Sequence, residues 1–143
     1  MQRVERAHGS RYRPPALLAL LAVLMAGCRE ELGPVAAPTT RVTGVVRIGR
    51  RPVGGGWIEF YPVAGTVGNL RVAPVGPDGR FAADGVAVGT NMVGLAQMPN
   101  AGPYRYQFRS FQSTIRRTIR PGPATTLDLD LAEEAAARAT TPR

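Results

Sequence analysis

The 143-residue chain contains no lysine, one cysteine, one histidine and one tryptophan. Each scarcity excludes something. A lone cysteine, Cys28, has no intramolecular partner, so this is not a disulfide scaffold and any folded domain must stand on its hydrophobic core. The single histidine, His8, lies near the start of the chain. Everything after it lacks the imidazole of Ser-His-Asp and Cys-His catalytic sets and of most zinc sites. No cofactor and no metal are expected, and no enzymatic activity; a hydrolase would have to work here without a recognisable base and nucleophile pair. The positive charge, +8 net, is all arginine, eighteen against ten acids. With no motif of nucleic-acid recognition beside it, this reads as a GC-rich coding bias, and no nucleic-acid partner is expected.

Glycine (17) and proline (13) make up about a fifth of the chain, a composition that cuts helical runs short and suits short strands joined by tight turns. The length leaves room for one domain. An all-β fold, a single β-sandwich of about seven strands, is the expectation.

One apolar run is present, Leu17 to Cys28, LLALLAVLMAGC. Four arginines precede it between Arg3 and Arg13, and Ala16 to Ala26 is uncharged, the n-region and h-region order of a secretory signal helix. Eleven residues are too few to cross a hydrocarbon core that needs about 20 in a helix. Small residues, Ala26 and Gly27, stand immediately before Cys28. This ending resembles a bacterial lipobox, with Met25 where leucine is commoner. The resemblance implies cleavage between Gly27 and Cys28, acylation of the Cys28 sulfur with palmitate-like chains, and a diacyl or triacyl cysteine as the mature N-terminus, since two chains hold a membrane stably where one does not. The alternatives are an ordinary secretory signal with an incidental cysteine, or a buried free thiol. Residues 29–40, REELGPVAAPTT, have two prolines and no periodicity and read as a tether of roughly 20 Å mean span.

Arg41 to Ile48 alternates, with Val42, Gly44, Val46 and Ile48 on the inner face. GRRPVGGG (49–56) turns the chain; it lacks the Gly-Lys-Ser/Thr ending of a phosphate loop. Trp57 to Val63 alternates again, Ile58 and Phe60 inward and Glu59 and Tyr61 outward. Leu70 to Val75 is a third strand, and Gly76-Pro77-Asp78-Gly79 reverses the chain into Arg80–Ala83, Asp78 serving as a turn former and not as a cation ligand. Val93 and Leu95 alternate as a core face, and Thr125 to Leu131 closes the domain with Leu127, Leu129 and Leu131 buried and Asp128 and Asp130 on a solvated outer face.

The stretch VTGVVRIGRRPVGGGWIEFYPV followed by VGPDGRFAADGVAVGTNMVGL resembles the carboxypeptidase regulatory-like domain, a transthyretin-like sandwich. Its pattern is V-x-G-x-V, a turn ending in P-V-x-G-A, V-x-F, a D-G-x-F hairpin and G-x-Y-x-V-x-V. Val42, Gly44, Val46, Pro52, Val53, Ile58, Phe60, Asp78, Gly79, Phe81, Gly89, Val93 and Leu95 carry it over about Arg41 to Ala96, and Leu127 to Leu131 looks like the closing strand. Asn91 stands where a tyrosine is usual, and Tyr104 to Arg120 is longer than the simplest members need. These are turn and core residues, which speak for fold more than function.

That longer segment holds Arg105, Arg109, Arg116, Arg117 and Arg120 with no acid, interleaved with Tyr104, Tyr106, Phe108 and Phe111. As a contact surface it would suit an anionic lipid headgroup, an anionic glycan or an envelope protein; the plainer reading is a strand pair with aromatics inside and arginines solvated. The division expected is a signal peptide (1–27), lipidated cysteine and tether (28–40), a sandwich (41–131) and a tail (132–143) with one helical turn around Glu134 and Arg138. The whole reads as an exported, membrane-anchored, non-enzymatic binding or structural module of the bacterial cell envelope.

Overall fold

Alternation of apolar side chains along short segments, broken by glycine and proline, produces strands, and the computed structural model describes them over residues 36–140. The apolar leader, Gly27, Cys28 and most of the tether lie outside the described residues. Among the described residues the order is β1 (Thr39–Ile48), β2 (Arg51–Pro52), β3 (Trp57–Pro62), β4 (Arg71–Pro74), β5 (Arg80–Ala87), β6 (Gly89–Ala96), a 3₁₀ turn (Pro99–Ala101), one helical turn (Tyr104–Gln107), β7 (Arg116–Ile119), β8 (Ala124–Thr126), β9 (Leu129–Asp130) and a helix (Leu131–Thr140). They form two sheets. In the first, β1 pairs antiparallel with β5 and β2 and, on its other edge, parallel with β8 and β9. The second is antiparallel throughout, in the order β4-β3-β6-β7. The fold is a β-sandwich, mostly strand, with its core between the sheets.

The inner faces are those the alternation predicts. Val42, Val46, Ile58, Phe60, Val93 and Leu95 are all buried, joined by Val53, Phe81, Val86 and Phe108. Each large side chain so buried contributes about 1.5–3 kcal/mol. Gly44 also faces inward, and its lack of a side chain is a requirement. A β-carbon there would stand 1.8 Å from the Leu127 carbonyl oxygen, because the segment joining β8 to β9 runs close against β1 at this point. Leu127 N–H donates to the Thr43 carbonyl at 2.8 Å and fixes the contact. The Gly76–Gly79 turn forms as expected: Gly79 N–H donates to Gly76 at 2.9 Å, Gly79 has φ +77°, and Asp78 accepts from the Arg80 N–H at 3.1 Å.

The C-terminal part departs from the expectation. In place of one closing strand there are two short ones with a break at Leu127–Asp128, where the Asp128 carboxylate accepts from the Val45 N–H at 3.1 Å. The leucines are still buried, but Leu131 begins the helix. Asp130 is not on a solvated face: it is 5 % exposed and its Oδ1 accepts from the Gly49 and Ala132 N–H groups, both at 3.1 Å. It thus caps the helix at its first turn and ties it to the end of β1. These backbone donors, that of Gly49 foremost, hold its carboxyl below the usual range against the opposing effect of burial, with Arg47 adding a smaller attraction. The tail, expected to make one turn, makes a ten-residue helix, and Glu134 pairs with Arg117 of β7 instead of Arg138.

Asn91 is fully buried. Its Nδ2 donates to the carbonyls of Ala87 at 2.8 Å and Gly89 at 3.1 Å, closing the tight passage from β5 to β6.

A candidate binding cleft over the second sheet

The outer face of β3 is where the sequence pattern and the structure part. Glu59 and Tyr61, expected in solvent, are 9 % and 8 % exposed. Their cover comes from the segment that leaves β6 after Ala96 and returns to it near Ile115. Gln97, with φ +50°, turns the chain out; the Pro99–Ala101 and Tyr104–Gln107 turns follow, and Phe108 plugs into the core with no exposed surface. Leu95 N–H donates to the Phe108 carbonyl at 2.7 Å, and Val93 N–H to that of Ile115 at 3.0 Å. Between these two anchors residues 109–113 fold back over the sheet.

Ser110 donates to Oε2 of Glu59 at 2.5 Å, and the Tyr61 hydroxyl donates to the same oxygen at 2.7 Å. Phe111, at φ +60°, lays its ring against Tyr61 with centroids 4.6 Å apart and stays 74 % exposed. Gly94 makes the close approach tolerable: a β-carbon there would lie 3.2 Å from Glu59 Oε2 and 3.3 Å from the Tyr61 ring. Burial first, and then the hydrogen bond and charge of Glu59, push the Tyr61 phenol up from its ordinary value. Two donors on one carboxylate oxygen make a clamp that fastens the covering segment. A serine beside a carboxylate, with no imidazole between them, is not an activated nucleophile of the familiar kind.

Beyond the clamp, between the end of β6 and the covering segment, a cleft of about 580 Å³ opens, with Gln97, Pro99, Arg105, Tyr106, Arg109 and Ser110 on its walls. This volume is in the range of small-molecule sites. The Arg105 guanidinium lies 4.6 Å from the Tyr106 ring centroid and donates to its hydroxyl at 2.6 Å, and Arg109 donates to Gln112 at 2.7 Å.

The five arginines singled out in the sequence are therefore divided. Arg105 and Arg109 share the cleft. Arg116, on β7, donates to the carbonyls of Ser113 and Ile115 and braces the return of the covering segment. Arg117, half-buried, pairs with Glu134 and fastens the C-terminal helix. Arg120 is exposed in the turn after β7. The sequence reading missed Glu59, Tyr61 and Ser110; an acid set between outward-facing Trp57 and Tyr61 was the only available signal. Gly27 and Cys28 lie outside the described residues. Among the described residues no three His, Cys, Asp or Glu side chains are grouped to hold a metal ion, and no helix is long and apolar enough to cross a membrane.

No family model matches the chain, and no curated protein matches it. Among solved structures it is similar to the crystal structure of a DUF3823 family protein from Parabacteroides merdae, at 18 % identity and a TM-score of 0.44, over 66 % of this chain and 46 % of that one. The chain thus spans about half the length of the structure it matches.

Proposed function

We propose that the chain is a lipid-anchored β-sandwich of the bacterial cell envelope, of the carboxypeptidase regulatory-like kind, and that it acts as a binding module without chemistry of its own. The observation that carries the reading is the position of the only cysteine, at the end of an apolar run after Ala26-Gly27 and ahead of a proline-containing tether that leads into β1. The sequence holds no second cysteine to compete for Cys28. Two features of the sandwich support the family reading: Gly44 is required where the β8–β9 segment packs against β1, and the Asp78-Gly79 turn delivers Phe81 to the core. The cleft beside Arg105 and Arg109 supplies a place for a ligand.

The test is metabolic labelling with palmitate in a bacterial host. The wild-type chain should take up label and Cys28→Ser should not; label on the serine variant, or none on wild type, removes the anchor. Robust turnover by the purified chain would instead remove the non-enzymatic part of the reading.

A further inference from the structure

We infer that the cleft between the end of β6 and the Tyr104–Ser110 segment binds a carboxylated sugar, its carboxylate held by Arg105 and Arg109 and its ring against Tyr106. This deepens the binding-module reading and rests on it, but not on the anchor.

Charge is the first argument. Four ion pairs are made among the described residues, Arg41–Asp84, Arg47–Asp130, Arg80–Asp78 and Arg117–Glu134. Neither Arg105 nor Arg109 takes part in one. Their described hydrogen bonds go to uncharged acceptors, the Tyr106 hydroxyl and the Gln112 side-chain carbonyl, which orient a guanidinium without neutralising it. Each guanidinium has five N–H donors in a planar fork, so most remain for a bidentate carboxylate. No Asp or Glu occurs between Gln97 and Arg120. The carboxylate bonded to Ser110 of the cleft wall, Glu59, is buried, with one oxygen committed to Ser110 and Tyr61.

Shape is the second. Tyr106 is 62 % exposed on the cleft wall although it is a large aromatic side chain, and the Arg105 guanidinium lies over its ring. An aromatic face with polar groups beside it, here Gln97 and Ser110, suits a saccharide, which offers an apolar ring face and a rim of hydroxyls. A volume of about 580 Å³ accommodates one or two sugar rings and not a folded partner. The chain enters the sandwich at Thr39, which pairs with Ala87 next to the start of β6, whereas the cleft lies at the other end of β6.

The test uses the full-length chain in detergent micelles and titration calorimetry with digalacturonate, its methyl ester and inorganic phosphate. Digalacturonate should bind, and the uncharged ester should bind about tenfold more weakly or not at all, the loss expected when a charge-assisted pair is removed. Arg105→Gln and Arg109→Gln should each weaken binding of the acid by about tenfold with the thermal midpoint unchanged, and Arg120→Gln, outside the cleft, should not. Equal affinity for acid and ester, phosphate binding as tight as the acid, indifference to both cleft substitutions, or no binding of the acid overturns the assignment. Loss of sugar binding with palmitate labelling intact removes the ligand and leaves the anchor; the converse removes the anchor alone.

Discussion

Ser110 and Glu59, fifty-one residues apart, meet in a 2.5 Å hydrogen bond that holds the covering segment onto the second sheet. The same Glu59 oxygen takes the Tyr61 hydroxyl, so two donors from two parts of the chain depend on one acceptor. Ser110→Ala is expected to cost roughly 1–3 kcal/mol, since a buried carboxylate loses a donor. Combined with Tyr61→Phe, the cost should exceed the sum of the single effects or fall short of it by a measurable coupling, which a double-mutant cycle in denaturant reads. Strict additivity would contradict a shared clamp.

Gly44→Ala should destabilise by about 3 kcal/mol, the upper end of overpacking costs, because the obstacle is the Leu127 carbonyl and not a movable side chain. Hydrogen exchange should show the Leu127 amide losing protection first, as β8 and β9 part from β1. A loss of protection spread evenly over the sandwich would argue against this contact as the weak point.

Asp130 gives the fold a defined acid limb. Its carboxyl titrates lower in the folded state than the ordinary 3.8, so its contribution is complete above that value and is lost as pH falls through the folded-state value. Stability should therefore drop on acidification below about pH 4, and Asp130→Asn should flatten that drop while lowering stability near neutrality. An acid limb of unchanged slope in the variant contradicts the assignment.

Arg117 and Glu134 fasten the C-terminal helix to β7 in a partly buried pair. Removing either partner should cost about 1–2 kcal/mol, between the small value of exposed pairs and the large one of buried pairs. The loss should appear as reduced helical signal before global unfolding. A helix equally stable without Arg117 would show that Leu131 and Ala135 packing suffices.

The inner faces were legible because period-two alternation needs nothing but neighbours: Val42, Val46, Ile58, Phe60, Val93 and Leu95 follow it, and so do the three closing leucines. The Gly76–Gly79 turn was legible because Pro77 presets φ and Gly79 supplies the positive value. The outer face of β3 was not, because what buries Glu59 and Tyr61 arrives from Ser110 and Phe111, and no local pattern announces a contact across fifty residues. Asp130 misled for a related reason. Alternation puts it outside, but the chain turns into a helix one residue later and uses its carboxylate as the cap. The arginine segment was legible as a surface and not as a site, since pairing separates Arg117, at the helix, from Arg105 and Arg109, at the cleft.

The proposed anchor makes a lipid-bearing Cys28 the first residue of the mature chain. Mass spectrometry of the protein extracted from membranes of an expressing bacterium tests it most directly. The N-terminal peptide should start at Cys28 and carry a diacylglyceryl group on sulfur. A peptide that starts elsewhere, or a Cys28 with a free thiol, contradicts it.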